Sequence, residues 1–268
     1  MDIRLNALQR TDLPYLDPFP PKSWGFSLAA FAEQNFHNPA VHFITAKHHE
    51  KLVGIGNIII NGPWGWIGNM IVVESYQRRG IGTRLFRQLV RIGEQHEVKK
   101  FALIASDEGY PLYLKEGFTP VGYYNFYSKP ESVPGAAPHV MPIPRVEMPA
   151  LWALDQEITG EDRNLFLSQY ATNVWGIKTN GKLEGIYYPG YGTGCVIARN
   201  ESAGLELLRF RLQHTQLTTV IPERNRTATH YIETLGCNVT MRFMRMEKPA
   251  LPKWKPQWVF SRGTGYAG

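Results

Sequence analysis

The sequence has little cysteine and no long hydrophobic run, and each shortage excludes a class of protein. Cys195 and Cys237 are the two cysteines among 268 residues, so between them they cannot supply a four-ligand zinc site. We expect two buried free thiols and no bound metal. No apolar stretch approaches the roughly 18 residues of a membrane-spanning helix, and the N-terminus has no apolar signal core. These absences predict a cytoplasmic protein that makes no use of a membrane.

The chain also has no long segment in which basic residues or acidic residues predominate. Lys and Arg number 29 against 23 Asp and Glu, an excess that would suit nucleic acid or a phosphorylated cofactor. No extended basic stripe or recognisable nucleic-acid-binding module is present, so we expect no nucleic-acid partner. One dense basic cluster surrounds a glycine-rich turn and indicates phosphate binding; it consists of Arg78, Arg79, Arg84, Arg87 and Arg91.

A proline-rich stretch divides the chain. Its composition, with prolines at 130, 134, 138, 142, 144 and 149, is typical of a linker. We therefore predict a first domain over 1–128, a linker over 129–149 and a second domain over 150–268. Hydrophobic residues at 43% and charged residues at 19% suit folded domains of this size.

The first half has the pattern of a sheet crossed by one helix. Apolar runs at 41–46, 52–60 and 66–73, joined by short polar connections, predict an antiparallel meander. Residues 83–96 have helical periodicity, and the apolar run 101–105 predicts a strand parallel to the one before the helix. A short helix over 108–116 and aromatic strands over 118–127 follow.

The second half repeats this order and predicts an α+β fold for both domains, each a mixed, mostly antiparallel sheet flanked by helices. The predicted elements are a helical region 152–168, strands 185–188 and 194–198, a helix 204–214, a strand 217–221, a helix 225–235, a strand 239–246 and a final strand near the C-terminus.

The turn between the third strand and the first long helix is the strongest candidate site. Glycines at 80 and 82 let a ligand approach backbone amides at the start of the helix, where the helix dipole adds positive potential. Several charge-assisted hydrogen bonds there would suffice to hold a diphosphate without a metal. The spacing fits neither a dinucleotide-binding fingerprint nor a Walker motif.

Two motifs in this half resemble those of the GNAT superfamily, the acyl-CoA-dependent N-acyltransferases. Gln77-x-x-Gly80-x-Gly82 is similar to the family's signature turn, and Leu112-Tyr113-x-x-x-Gly117-Phe118 is similar to its closing element. The matching order of elements covers nearly all of residues 2–127. The second half resembles a divergent copy of the same fold, as in tandem GNAT proteins, with Ile232 in place of the tyrosine and no glycine motif.

The resemblance implies that acetyl-CoA is the acyl donor and assigns residues to it. Main-chain groups of Ile71, Val72 and Val73 would bind the pantetheine arm as an added strand. Tyr113 would protonate the departing thiolate. The diphosphate would be bound by the amides of the turn, formed by Arg78, Arg79, Gly80, Ile81, Gly82 and Thr83.

The implied reaction is direct attack of a small primary amine on the thioester, in a monomer or homodimer. Many family members carry a glutamate on the third strand, but residues 66–73 contain none, so the general base is unassigned. The acceptor would lie near Trp24–Phe36 and the aromatic strand 123–127, although core packing explains these aromatics equally well. The alternative is a sensor that binds acyl-CoA without turnover.

Overall fold

The structure is a computed structural model, and it describes residues 2–249 and 254–265. The chain forms two compact units, one reaching to Leu103 and the other beginning at Ile104. Each unit is a sheet or pair of sheets with helices packed against it, so the expectation of mixed, mostly antiparallel sheets flanked by helices is confirmed. The limits predicted for the two domains and the linker stay predictions.

The first unit is built on a meander of strands and one long helix. Antiparallel pairing joins the first four strands in chain order, and the fourth pairs in parallel with the fifth. Its elements are β1 (Ile3–Ala7), α1 (Leu28–Gln34), β2 (Val41–His48), β3 (Lys51–Asn61), β4 (Trp64–Val72), α2 (Ile81–Gln95) and β5 (Lys100–Ala105), whose last two residues belong to the second unit.

This arrangement confirms the predicted meander and the crossover through α2, and it adds β1. The apolar residues of β1, Ile3, Leu5 and Ala7, alternate with polar ones, so the sequence contained a short strand pattern that was overlooked. Helix α2 begins two residues earlier than its apolar pattern indicated, directly after Gly80. Its buried residues Leu85, Phe86 and Leu89 form the predicted apolar face.

The second unit contains two groups of strands. One group places β6 between β11 and β12, and the other has the order β13, β10, β9, β8, β7. Its elements are α3 (Tyr110–Lys115), β6 (Thr119–Tyr127), β7 (Met141–Pro142), α4 (Met148–Thr159), α5 (Asn164–Leu167), β8 (Trp175–Thr179), β9 (Lys182–Tyr188), β10 (Cys195–Ala198), α6 (Glu201–His214), β11 (Thr219–Pro222), α7 (Arg226–Thr234), β12 (Val239–Lys248) and β13 (Val259–Ser261).

Two features of this unit differ from the sequence prediction. The helical region 152–168 is broken at Gly160, whose left-handed backbone ends α4. The strand β8 was missed, although Asn180 and Gly181, both with positive φ, form the two-residue turn that joins it to β9. That dipeptide is a strong signal for a β-hairpin, so this strand could have been predicted from the sequence.

The elements from β7 to β12 follow the same order as those from β1 to β6. In each case four antiparallel strands are followed by a helix, a strand, a helix and a strand. Cys195 and Cys237 are buried and free, as expected. None of the helices in the described part of the chain is long and apolar enough to cross a bilayer.

Substitution of Gly93 by alanine tests how tightly α2 packs on its sheet. In an exposed helix this change would stabilise by about 1 kcal/mol. Here a Cβ at Gly93 would lie 2.5 Å from the Phe101 ring and 3.0 Å from the Ile58 side chain, and such overpacking costs about 1–3 kcal/mol. We expect the overlap to dominate and the free energy of unfolding to fall by about 1–2 kcal/mol in urea titrations.

The matched control is Glu94→Ala, at the exposed neighbour, which should change the free energy of unfolding by less than about 0.5 kcal/mol. A Gly93→Ala variant as stable as the parent would show that this packing is looser than described.

Candidate functional site

Strand β4 pairs with β5 along only the first part of one of its edges. Its parallel pairing with β5 runs from Trp64 to Ile67, whereas β4 itself continues to Val72 and stays paired with β3 on its other side. The main chain of the last five residues of β4 therefore has no strand partner on this edge among the described residues. Such an edge can accept an extended ligand through backbone hydrogen bonds.

A bulge in β4 accompanies this divergence. The register with β3 passes from Asn57–Gly68 to Ile55–Ile71, so two residues of β4, Asn69 and Met70, lie opposite Gly56. Asn69 has a φ of 50°, and its buried amide donates a 2.7 Å hydrogen bond to Asn57 Oδ1. A bulge bends its strand and redirects side chains. The sequence pattern of this strand contained no sign of the bulge.

The glycine turn follows immediately at the end of β4. Val73 still donates a 3.0 Å hydrogen bond to Val53 O, after which one 3₁₀ turn leads to Gln77. The Gln77 side-chain amide donates to Val72 O at 2.9 Å, which fastens the turn to the end of the strand. Arg78 and Gly80 both have positive φ, 57° and 77°, and Gly80 is the N-cap of α2.

The first amides of α2 are available for an anion. A helix leaves the N–H groups of its first turn without intrahelical partners, and no side chain of the described residues caps this end. A Cβ at Gly80 would meet no atom within 4 Å, and one at Gly82 would meet a single atom, Val72 Cγ2 at 3.9 Å. The side of the turn at both glycines is therefore open, as an anion-binding turn requires.

Basic side chains surround the turn. The Tyr76 ring lies 5.7 Å from the Arg79 guanidinium and 5.9 Å from Lys51 Nζ, and its hydroxyl is 3.1 Å from His48 Nδ1. Arg84 instead donates a 2.8 Å hydrogen bond to Ile3 O, so it ties α2 to β1. Sequence analysis missed Lys51 and His48 because they lie in the β2–β3 hairpin, far along the chain from the motif.

Tyr113 is placed by a helix-ending motif in the second unit. Phe118 N donates to Tyr113 O at 3.0 Å and Gly117 N to Leu114 O at 3.0 Å, and Gly117 has a φ of 84°. These two bonds form a Schellman motif, which explains the spacing between the tyrosine and the Gly-Phe pair. Burial raises the pKa of the Tyr113 phenol well above its usual value, so the phenol is protonated at neutral pH.

The same motif recurs at the end of α7 with a different residue. Cys237 N donates to Ile232 O at 3.3 Å and Gly236 N to Glu233 O at 2.9 Å. Ile232 thus occupies the place in α7 that Tyr113 occupies in α3, as the sequence indicated. An aliphatic side chain has no proton to give, so this second copy of the motif carries no acid.

The aromatic strand β6 is divided between core and surface. Tyr124 and Tyr127 are buried, 2% and 1% exposed, and belong to the packing of the second unit. Tyr123 is exposed, with the Arg242 guanidinium 4.2 Å above its ring. Among the described residues no three His, Cys, Asp or Glu side chains meet in a group that could hold a metal ion.

Comparison with known proteins agrees with this geometry. A family model described as the acetyltransferase (GNAT) family matches residues 8–118. The N-alpha-acetyltransferase RimI of Mycobacterium tuberculosis is 31% identical over 129 residues, which are 47% of this chain and 75% of RimI.

Two solved structures match almost the whole chain. A candidate acetyltransferase from Pyrococcus horikoshii has a TM-score of 0.81 at 24% identity, covering 99% of this chain and 96% of its own. A GCN5-related N-acetyltransferase from Sphaerobacter thermophilus has a TM-score of 0.61 at 12% identity, covering 98% and 97%. At these identities they establish the fold for both units and nothing beyond it. The RimI match, together with the family model, shows that the chain belongs to the GNAT family of acetyltransferases.

Proposed function

We propose that the protein transfers the acetyl group of acetyl-CoA to the primary amine of a small molecule. The observation that carries the proposal is the unpaired edge of β4 ending in the open turn at Gly80. An extended arm with amide groups fits the edge, and a diphosphate fits the uncapped helix start. Coenzyme A carries both features on one molecule, in that order.

The binding residues are those that the sequence indicated. The edge of β4 from Ile71 to Val73 would lie along the pantetheine arm, and the amides from Arg78 to Thr83 would bind the diphosphate. Val73 N already donates to Val53 O and Val73 O accepts from Tyr76 N, so Val73 adds no free main-chain donor to this edge. Gln77 keeps the turn against the strand through its bond to Val72 O. Each hydrogen bond to a charged phosphate oxygen is worth about 1.5–3 kcal/mol, so several suffice without a metal ion.

The chemistry requires an amine, a thioester and one proton donor. The neutral amine nitrogen attacks the thioester carbonyl, the C–N bond forms, and the C–S bond breaks with its electron pair passing to sulfur. Tyr113 gives its phenolic proton to that thiolate, the nitrogen loses a proton to solvent, and the Tyr113 phenolate takes a proton back from solvent, which completes the turnover. Alignment of the two substrates can supply about 7–11 kcal/mol of the barrier reduction, more than a single acid supplies.

The composition of β4 and the RimI match bear on the general base and on the acceptor. Residues 64–72 contain no carboxylate, so we assign the first deprotonation to water or to an amine that arrives neutral. The name of RimI, an N-alpha-acetyltransferase, supports an amino nitrogen as the acceptor. A small molecule remains our proposal for this chain.

A sensor of acyl-CoA is the second candidate, because β4 lacks the carboxylate that would serve as a base. Thiol release separates the two functions. The purified protein is mixed with acetyl-CoA and a panel of amines, free thiol is followed by a chromogenic assay, and products are identified by intact mass. Sustained CoA release with an acetylated amine supports the transferase. Tight binding of acetyl-CoA without release of CoA, whichever amine is added, would favour the sensor.

The role of Tyr113 is tested by Tyr113→Phe. Removing the hydroxyl removes the acid, so we expect turnover to fall by roughly 10²- to 10⁴-fold with the dissociation constant for CoA nearly unchanged. Because burial raises the phenol pKa, the donor stays protonated as pH rises, and the parent enzyme should show no alkaline loss of kcat below about pH 10. Leu114→Ala, at the exposed neighbour in α3, serves as control. Equal turnover in Tyr113→Phe and the parent would remove Tyr113 from the mechanism.

The anion-binding turn is tested by a matched pair, Gly82→Asp and Gly82→Asn. Either side chain has room, since a Cβ at Gly82 makes an ordinary contact, and an acid in the first helical turn is compatible with stability. The aspartate repels the diphosphate and competes for the amides, whereas the asparagine does only the latter. We expect Gly82→Asp to weaken CoA binding at least about 10-fold more than Gly82→Asn by calorimetry, with equal melting temperatures. Equal affinities in the pair would mean that no phosphate lies at this turn.

A further inference from the structure

The C-terminal strand of the second unit lies between two strands that would otherwise be neighbours. Strand β13 pairs antiparallel with β10, Val196 opposite Ser261 and Ile197 opposite Val259. On its other side, Arg262 N donates a 2.7 Å hydrogen bond to Val220 O of β11. The segment from 259 to 262 thus bridges β10 and β11 through its main chain.

Side chains fasten this segment along its length. Ser261 Oγ donates to Gly194 O at 2.8 Å, and Asn225 Nδ2 donates to Val259 O at 3.0 Å. Thr193 Oγ1 donates to Arg262 O at 2.9 Å. Val259 and Ser261 are buried, so the segment is part of the unit's interior and is not a strand laid on its surface.

Phe260 fills the space beside the helix that follows β10. Its ring is fully buried and lies against Gly204 in the first turns of α6, where even a Cβ would overlap it. Gly204 therefore serves to admit a side chain of the same protein. In α2 the glycine near the helix start, Gly82, has open space instead.

The place of β13 corresponds to the free edge of β4. By element order β10 corresponds to β4, α6 to α2 and β11 to β5. In the first unit β4 and β5 pair briefly and then diverge; in the second unit the space beside β10 holds β13. The position proposed for the pantetheine arm in one unit is thus filled by protein in the other.

The connection before α6 has also lost its anion-binding features. It consists of two residues, Arg199 and Asn200, in place of the longer turn that precedes α2. The Asn200 side chain caps α6 by accepting a 2.9 Å hydrogen bond from Ala203 N. An amide that an N-cap already satisfies is not available to a phosphate.

From these contacts we infer that residues 259–262 are a built-in strand ligand that closes the second unit to acyl carriers, so that each chain binds one coenzyme A. This inference rests on the proposed function for the carrier site in the first unit, and it assigns the C-terminal strand a blocking role. The same main-chain bonding that would capture a pantetheine arm instead holds the chain's own C-terminal segment.

Coenzyme A titrated into the full chain, followed by native mass spectrometry and calorimetry, counts the sites. We expect one carrier per chain, and a clearly lower occupancy in Gly82→Asp at concentrations that just saturate the parent. A second carrier per chain, or a site that persists unchanged in Gly82→Asp, would overturn the inference. If the parent binds no carrier at all, the proposed function fails, and the second unit must be judged by an independent measurement.

Hydrogen exchange on the protein without ligand provides that measurement. If β13 is a fixed part of the fold, the amides of Ser261 and Arg262 should be protected at least ~10³-fold, as interior strands are. Phe260→Ala should accelerate their exchange, whereas Gln257→Ala, at an exposed position, should not. Unprotected amides of Ser261 and Arg262 in the parent would show that β13 does not stay in its place beside β10. That result would refute the inference, whatever number of coenzyme A molecules each chain binds.

Discussion

The parting of two parallel strands is the constraint on which the candidate site depends. After Ile67 the pairing of β4 with β5 ends while its pairing with β3 continues, so within the described ranges one row of its peptide groups has no strand partner. The bulge at Asn69 and Met70 bends β4 where this happens, and the buried Asn57–Asn69 bond holds the bend. The loss of ladder bonds would be costly in an ordinary sheet, and the pantetheine arm proposed for this edge would restore them.

The two repeats of the element order, β1–β6 and β7–β12, use the same elements differently. In the first, an eight-residue connection ending in glycine leaves the helix start bare; in the second, a two-residue connection ends in asparagine, which caps the helix. The aliphatic residue at the place of the tyrosine completes the difference. The helix start is capped and the tyrosine is replaced by Ile232 in the second repeat, which is consistent with a scaffold and not with a second carrier site.

The sequence predicted the repeating architecture well because its signals are local. Glycines at 80, 117 and 236 mark helix ends through backbone conformation, and apolar periodicity located α2 and the strands of the meander. What it could not predict is long-range: the bulge opposite Gly56, the hairpin residues beside Tyr76, and the insertion of β13 next to β10. These depend on register between segments distant in the chain, and register is set by packing that no single window of sequence contains. The hairpin at Asn180–Gly181 was predictable and was overlooked.

The hydrogen-bonded ending of α3 carries a consequence for reading related chains. Because Phe118 N must reach Tyr113 O, the count from the phenol to the left-handed glycine is fixed by geometry, and an inserted or deleted residue there would turn the side chain by about 100° around the helix axis. A chain of this architecture can therefore be inspected by counting four residues back from that glycine. If Tyr113 has the role proposed for it, an ionisable group at that position predicts a proton source, and a hydrocarbon there predicts a copy without one.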